Sequence, residues 1–403
     1  MQYFGKIVIG LSLLLSACGA TPTAAPTNPP VDIEATAISM AYTMAAQTMA
    51  AIPTETPIPT PTEIPFFLTA TVWTEDARVP IINYHQFAPN TSKQSTDHKI
   101  RMEDFIAGID ALNQAGFTLI HLEDWINGDL YVPEGRRPLV FTMDDVFYNN
   151  QIRMDENGEP RPDTGLALAW EYAQEHPEFG FKWSLFSNLG DKWYAEGDPE
   201  GKWKVELANT IVWSLDHEAR IYNHTYRHIR LDISDAAGIL WELEQNDLFL
   251  RELLVNAGRE DLIPNLGNMF AVPFGYWPLG NGYSAMTNYI TPEGKPMLAI
   301  FDIDWPVRIK FMAPPYSPEF DPMKIPRIAM PPEAVKYLVE HQAEFPTTVS
   351  CQVGPLDAGQ VSIQEYLKDA IHTSITSGAC PAGIYIFEGN TFDARQGAPQ
   401  LMD

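Results

Sequence analysis

The chain has 403 residues and a formal net charge of −26 at pH 7. A charge this negative excludes nucleic acid as an expected partner, because the phosphate backbone would be repelled. The length is sufficient for one large domain or two smaller ones.

The first 17 residues are predicted to be a secretion signal. One positive charge at Lys6 precedes an apolar run from Ile7 to Leu15, which is too short to span a bilayer. The ending LSAC resembles the lipobox of bacterial lipoproteins, which implies cleavage before Cys18 and a lipid on its thiol. The alternative is a plain signal peptide with an incidental cysteine. We expect an extracytoplasmic protein, anchored to the membrane through Cys18.

Residues 18–78 are predicted to be a tether. They contain ATPTAAPTNPP and IPTETPIPTPTEIP, in which repeated Pro and Thr remove backbone donors and offer little apolar surface for a core. Such a composition favours an extended linker over a folded element.

From residue 79 onwards, short apolar runs alternate with helical patterns. Strands are predicted at 79–84, 117–122, 138–143, 182–187, 219–222, 269–274, 297–302 and 383–387. Helices are predicted at 102–116, 164–176, 234–258, 332–342 and 362–373. This alternation predicts an α/β fold with a parallel sheet, either an open doubly wound sheet or a β/α barrel.

Polar residues at the ends of predicted strands favour the barrel. Asp144 and Asp145 follow one strand, and His224 follows another. Barrels gather chemistry at the carboxyl ends of several strands, and no Gly-rich phosphate loop follows the first strand here. We assign the barrel to residues 79–330, while residues 331–403 either complete it or form a small appendage.

An aromatic-rich segment, KWYAEGDPEGKWKVE at 192–206, is predicted to be a loop. Its Trp193, Tyr194 and Trp203 lie among polar residues. Such aromatic side chains can stack on sugar rings, although a loop anchored by its own aromatic residues is the commoner arrangement.

The cysteine content suggests one disulfide. If Cys18 carries a lipid, Cys351 and Cys380 remain as a pair that can oxidise outside the cytoplasm. We expect a Cys351–Cys380 bridge, and the alternative is two buried free thiols.

Two aspartates and two histidines suggest a metal site. Asp144 and Asp145 are adjacent, and His224 and His228 are four residues apart. One carboxylate and two imidazoles with open positions form a hydrolytic metal site, and zinc accepts such nitrogen and oxygen ligands.

Several motifs together resemble those of the NodB-type polysaccharide deacetylases, carbohydrate esterase family 4. The family motif T-F-D-D-G is matched by TMDDV at 142–146, and H-[ST]-x-x-H is matched by HTYRH at 224–228. A variant of R-x-P-[YF] is matched by AVPFG at 271–275. The opening VPIINYHQF at 79–87 and IPRIAM at 325–330 are also similar to segments of family members.

The resemblance implies a distorted β/α barrel and a set of residue roles. Asp145, His224 and His228 would hold a divalent metal, with Zn²⁺ expected and Co²⁺ or Ni²⁺ as alternatives. Asp144 would be the general base. The oxyanion would be stabilised by the metal and by a backbone N–H near Phe274, where Pro273 fixes the turn.

Three departures from the family pattern concern the remaining catalytic groups. Ala271 stands where many members have the Arg that orients the base, and Arg327 is a candidate replacement. Trp305 partly matches a motif that walls the acetyl pocket, and otherwise it is a core or surface aromatic. The late His that protonates the leaving group is missing, so Glu388 or His85 is the candidate acid.

The expected function is metal-dependent deacetylation of a polysaccharide by a monomer, with N-acetylglucosamine-type glycans preferred over acetylxylan. One alternative is a glycan-binding lipoprotein of the same fold that has lost turnover. Another is a metal-dependent amidohydrolase acting on a non-sugar amide, because the motifs identify the chemistry better than the substrate.

Overall fold

The structure is a computed structural model. It describes residues 66–402 apart from residues 77, 129, 148–149, 156, 191–201, 304–314, 316, 330, 357–362 and 388–389. The predicted signal, Cys18, most of the predicted tether, Trp305 and Glu388 therefore lie outside the described residues. None of the helices in the described part of the chain has the length and apolarity needed to cross a bilayer.

A curled parallel sheet of seven strands forms the centre of the fold. The strands are β2 (Ile81–Tyr84), β5 (Phe117–Leu119), β6 (Arg137–Val146), β7 (Trp183–Ser187), β8 (Ala219–Asn223), β9 (Met269–Ala271) and β10 (Ala299–Phe301). Their order is β10-β9-β8-β7-β6-β2, with β5 beside β6, and every pair is parallel. The strands are buried on both faces, as their continuous apolar sequences predict. The predicted α/β fold with a barrel-like parallel sheet is confirmed.

The segment 325–328 connects the two edges of this sheet. Ile325 pairs in parallel with Phe301 of β10, and Ile328 pairs in parallel with Ile82 of β2. Backbone hydrogen bonds of 2.8 to 2.9 Å support both contacts. This connection places Arg327 beside the carboxyl end of β2.

Helices and a short strand pair surround the sheet. The helices are α1 (Met102–Gln114), α2 (Leu122–Ile126), α3 (Gly165–Glu175), α4 (Lys202–Asp216), α5 (Ala236–Asn256), α6 (Asn281–Thr287), α7 (Pro331–Glu340) and α8 (Ile363–Thr376). The strand pair is β3 (Gln86–Ala88) with β4 (Lys99–Arg101). Helix α1 buries Phe105, Ile109 and Leu112, whose spacing puts them on one face. Helix α5 begins where the Asp235 side chain accepts a hydrogen bond from the Gly238 amide.

Helix α4 corrects the predicted loop at 192–206. Trp203 lies in the first turn of α4 and packs partly buried against the core, whereas residues 192–201 lie outside the described part. The apolar residues Leu207, Ile211 and Leu215 recur every four positions and bury one face of the helix.

A second sheet contains both the first described strand and the end of the chain. Its strands are β1 (Phe66–Trp73), β11 (Val349–Leu356), β12 (Ile384–Phe387), β13 (Asn390–Asp393) and β14 (Gln400–Leu401). Their order is β11-β1-β12-β13-β14, and all pairs are antiparallel. Residues 331–403 were expected either to complete the barrel or to form a small appendage. Within them, α7 packs on α1 and β2 of the barrel, whereas the strands belong to the second sheet, which α8 covers.

The predicted boundary between tether and domain is wrong. Strand β1 begins at Phe66, inside the range 18–78 assigned to the tether and before the domain start at 79. Ala70 and Val72 are buried in the second sheet, and Trp73 is buried in the main core. The Trp73 indole N–H donates to the Leu130 carbonyl at 3.1 Å. These apolar side chains stabilise a strand directly after the Pro-rich run.

Cys351 in β11 and Cys380 after α8 are joined by a disulfide in the structure. The bridge connects β11 to the segment that leads into β12, and both cysteines are buried with the apolar residues of the second sheet.

Candidate metal and catalytic site

Three predicted metal ligands meet at the carboxyl end of the parallel sheet. Asp145, His224 and His228 each offer a ligand atom, and these atoms lie within 4.8 Å of one another. Asp145 Oδ1 is 3.3 Å from His228 Nε2 and 3.8 Å from His224 Nε2. The residues meet because β6 and β8 flank β7, so that their carboxyl ends share one edge. The group has the composition of a site that could hold a metal ion.

His224 is held in the orientation that a ligand needs. Its Nδ1 is 2.8 Å from the Ala271 carbonyl oxygen, which can only accept, so Nδ1 carries the proton and Nε2 has a free lone pair. Burial lowers the pKa of His224 to about 3, which keeps the imidazole neutral. Ala271 therefore contacts the site through its backbone carbonyl.

Asp144 forms a buried ion pair with Arg327. Arg327 Nη1 donates to Asp144 Oδ1 at 2.7 Å, and Nη2 donates to Oδ2 at 2.8 Å. The two side chains are 1% and 0% exposed, so water does not screen the pair. Burial alone would raise the pKa of Asp144, but the Arg327 guanidinium, helped by His224, holds that pKa well below its usual range. Asp144 is therefore ionised, and Arg327, the candidate orienting residue, contacts both of its carboxylate oxygens.

Asn83 is a site residue that the sequence reasoning missed. Its Nδ2 donates to Asp144 Oδ2 at 3.0 Å, while its Oδ1 accepts from Arg327 at 3.0 Å and from Thr142 at 2.8 Å. Asn83 reaches these groups because β2 pairs with β6 in the register Asn83 to Thr142. A buried amide in the otherwise apolar run VPIINY was the available signal.

Two further amides contact the aspartates, one at a carboxylate and one at the backbone. Asn188, which follows β7, donates from Nδ2 to Asp145 Oδ1 at 3.1 Å. Gln151 donates from Nε2 to the backbone carbonyl of Asp144 at 3.0 Å and also to that of His85. Neither residue carries a signal in the sequence, because an amide after a strand or in a loop is common.

Helix α5 holds the loop that carries the two histidines. Glu242 accepts from the Arg227 backbone N–H at 2.8 Å and from its Nε at 2.7 Å. Asn223 donates to Asp247 Oδ1 at 2.7 Å and accepts from the Thr225 amide at 2.8 Å. The loop is therefore fixed at both of its ends before any ligand binds.

Asp247 in this network has an unusual titration. Burial raises its pKa to about 7, even though hydrogen bonds from Tyr289 and Asn223 favour the ionised form. Tyr289 donates from its hydroxyl to Asp247 Oδ2 at 2.8 Å. Burial thus favours the neutral form of this carboxyl more than in an exposed aspartate.

Backbone strain is concentrated at the site. Asp145, Thr225, His228 and Phe274 have φ values of 58°, 64°, 53° and 58°. Among the described residues, Glu218 is the other non-glycine residue with positive φ. Each such residue costs about 1 to 3 kcal/mol and persists where the surrounding contacts impose it. This clustering is typical of functional sites.

The site opens into a cleft of about 590 Å³. Its lining comprises the carboxylates and histidines described above together with His85, Gln86, His98, Lys99, Phe274, Tyr276 and Ile303. The Phe274 ring is 4.2 Å from the His228 ring, centroid to centroid, and its side chain is 53% exposed. Pro273, which is buried, begins the turn that presents Phe274.

Of the two candidate acids, one can be located. His85 lines the cleft, its ring lies 4.9 Å from that of His98, and its Nδ1 has no hydrogen-bond partner among the described residues. Burial lowers the pKa of His85 to about 4, which disfavours the imidazolium that a general acid needs. Glu388 and Trp305 lie outside the described residues.

Comparison with known proteins gave structural likenesses alone. No family model and no curated protein matches the chain. A Streptococcus pyogenes deacetylase solved with acetate is 11% identical, with a TM-score of 0.43 over 65% of this chain and 98% of that one. A Bacillus cereus polysaccharide deacetylase is 16% identical, with a TM-score of 0.44 over 66% and 69%. IcaB from Ammonifex degensii is 15% identical, with a TM-score of 0.41 over 66% and 97%.

Proposed function

We propose that the protein is a metal-dependent hydrolase that removes acetyl groups from a polysaccharide, with N-acetylglucosamine-type glycans preferred over acetylxylan. The observation that carries this proposal is the Asp145, His224 and His228 cluster beside the buried Asp144–Arg327 pair, in one open cleft. The motif resemblance to carbohydrate esterase family 4 supports the same reaction.

The donor set fits a divalent metal. Two imidazole nitrogens and one carboxylate oxygen suit Zn²⁺, with Co²⁺ and Ni²⁺ as alternatives. The Nδ1 contact of His224 with the Ala271 carbonyl leaves Nε2 free for the ion. When bound, such an ion would polarise the acetyl carbonyl and acidify a water molecule.

We assign the general-base role to Asp144, which is ionised, although the Arg327 contact that lowers its pKa also makes it a weaker base. Its Oδ2 lies 4.0 Å from His224 Nε2, so its carboxylate borders the proposed metal position. Arg327 and Asn83 fix both carboxylate oxygens, which sets the direction from which a proton is accepted. We therefore propose that the two adjacent aspartates divide the roles, with Asp145 as a metal ligand and Asp144 as the general base.

The turn at Pro273 and Phe274 borders the cleft on another side. We assign the stabilisation of the oxyanion to a backbone N–H of this turn, because preorganised amide donors in a cleft stabilise developing negative charge. The general-acid role stays with His85 or Glu388 as a prediction.

One observation favours the alternative of a glycan-binding protein without turnover. The burial of His85 keeps it neutral at physiological pH, so a charged acid for the leaving group would have to come from elsewhere. In either case, the LSAC sequence at Cys18 supports a lipid anchor outside the cytoplasm, and we propose that the protein acts there as a monomer on a nearby glycan.

The test combines metal analysis with acetate release. The protein is assayed for bound metal and for acetate released from N-acetylglucosamine oligomers, acetylated xylan, peptidoglycan and acetanilide. We expect metal binding and release from a glycan; Asp144→Asn should keep the metal and lose release, while His228→Ala should lose the metal. Asp261→Asn, an exposed carboxylate paired with Arg259 outside the cleft, is the matched control.

Each contrary outcome has a distinct meaning. Failure to bind any divalent metal would contradict the site itself. Metal binding without release from any substrate would favour the glycan-binding alternative. Release from acetanilide alone would favour an amidohydrolase acting on a non-sugar amide.

A further inference from the structure

The chain after Pro273 exposes three aromatic side chains. Phe274, Tyr276 and Tyr283 are 53%, 46% and 40% exposed. Phe274 and Tyr276 line the cleft with the metal-site residues, whereas Tyr283 packs against Trp277. Large exposed aromatic side chains at the mouth of a cleft are typical of binding surfaces.

Tyr276 is held in place by a cation. The Arg230 guanidinium lies over the Tyr276 ring, 4.2 Å from its centroid. Arg230 is fixed in turn by two hydrogen bonds to Asp232, at 2.6 and 3.0 Å. One face of the ring is therefore covered by a fixed group, and the orientation of the ring is set before a ligand arrives. Such preorganisation reduces the entropy that binding would cost.

The cleft has an aromatic part and a polar part. Phe274 and Tyr276 come from the turn after β9, while Gln86, His98 and Lys99 come from the β3–β4 region. A pyranose ring has an apolar face of C–H groups and a rim of hydroxyl groups. Aromatic stacking together with a few hydrogen-bonding groups matches that chemistry, whereas a small amide would contact few of these cleft residues.

We propose that Tyr276, held by Arg230, is the stacking platform for the sugar ring that adjoins the acetylated unit. Tyr276 then determines specificity, because it favours a polymeric glycan over a small acetylated molecule. This inference rests on the proposed function and adds a substrate-positioning residue to the same site.

The experiment compares a glycan with a small ester. Binding of an N-acetylglucosamine pentamer is measured by calorimetry, and acetate release is measured from the pentamer and from 4-nitrophenyl acetate. Tyr276→Ala should raise Kd and KM for the pentamer about tenfold, which corresponds to the loss of one stacking contact, and leave kcat unchanged. Hydrolysis of 4-nitrophenyl acetate and metal affinity should not change.

Two variants serve as controls for this effect. Tyr276→Phe keeps the ring and should bind the pentamer like the wild type. Tyr283→Ala removes a similarly exposed tyrosine outside the cleft and should change neither pentamer binding nor acetate release from either substrate.

The outcomes separate the platform from the proposed reaction. An unchanged pentamer Kd in Tyr276→Ala, or equal losses on both substrates, would overturn the inference while acetate release still supports a deacetylase. A wild type that does not bind the pentamer would also overturn it. Pentamer binding that depends on Tyr276 without any acetate release would support the platform and contradict the deacetylase.

Discussion

Arg327 and Asp144 form an ion pair from which water is excluded, so replacing one partner leaves the other charged and unpaired. Arg327→Met removes two hydrogen bonds, of 2.7 and 2.8 Å, from the Asp144 carboxylate. Asn83 then remains as a neutral donor to Asp144. Breaking a buried pair in this way costs about 3 to 5 kcal/mol. We expect the free energy of unfolding of Arg327→Met to fall by that amount.

Two further variants show whether the loss comes from the ion pair. Arg327→Lys keeps the charge but cannot match both carboxylate oxygens, so it should lose about 1 to 2 kcal/mol. The double variant Arg327→Met with Asp144→Asn should lose less than the sum of its single variants, with a coupling of about 2 kcal/mol or more.

The measurement is urea denaturation followed by tryptophan fluorescence, with metal affinity determined in parallel. Arg327→Met should retain metal affinity and lose acetate release, because Arg327 hydrogen-bonds to Asp144, the proposed base, which is not one of the proposed metal ligands. A loss of less than about 1 kcal/mol in Arg327→Met, or full addition of the two single losses in the double variant, would contradict a coupled ion pair between Arg327 and Asp144.

Three other predictions concern the surroundings of the site. Asn188→Ala removes the hydrogen bond to Asp145, a proposed metal ligand, and should weaken metal affinity about 10- to 100-fold. Asn209→Ala, at an exposed position, should leave metal affinity unchanged. Equal metal affinities of Asn188→Ala and the wild type by calorimetry would contradict this prediction. The pKa of Asp247 is raised from 3.8 to about 7, so the folded state binds more protons than the unfolded state between these values. The contribution of Asp247 to stability is therefore complete below pH 3.8 and lost as pH rises through 7, and Asp247→Asn should remove this part of the pH dependence in urea denaturation. Replacing Cys351 and Cys380 with Ser removes a bridge with a sequence separation of 29 and should lower the free energy of unfolding by about 3.5 kcal/mol. Metal affinity should not change in this variant. A fall in metal affinity would show that the second sheet supports the site.

The strands of the parallel sheet were predictable because burial on both faces leaves a continuous apolar run. The motif side chains follow such runs directly, so their convergence at one edge of the sheet followed from parallel pairing. Arg327 was a candidate from the IPRI motif alone, and its bidentate contact with Asp144 depends on the segment 325–328 reaching β2.

The supporting amides could not be found in this way. Asn83 and Asn188 are ordinary residues locally, and their roles depend on the register of β2 against β6 and on the position where β7 ends. Register is a property of strands far apart in sequence, and a single sequence does not specify it locally.

The element at 66–73 was missed for a related reason. FFLTATVW follows a Pro-rich run, and its partners Ser350 and Ile386 lie at the other end of the chain. Strand preference depends on packing against neighbouring strands, and here these strands lie about 280 to 315 residues away in the sequence, as far as Ser350 and Ile386 are from Thr71. Similarly, α4 was hidden because its first residues continue an aromatic-rich, loop-like segment.

The position of β1 between β11 and β12 also determines when the second sheet can assemble. Along the chain, β1 is the first of the described strands, and all strands of the parallel sheet lie between β1 and its two partners. Pairing over such a separation is slow and comes after local structure has formed. While β12 is still unpaired, β1 has a partner on one side at most. Pairing of β12 with β1 is then the folding step that covers the open edge of an apolar strand, which would otherwise be available for pairing with another molecule.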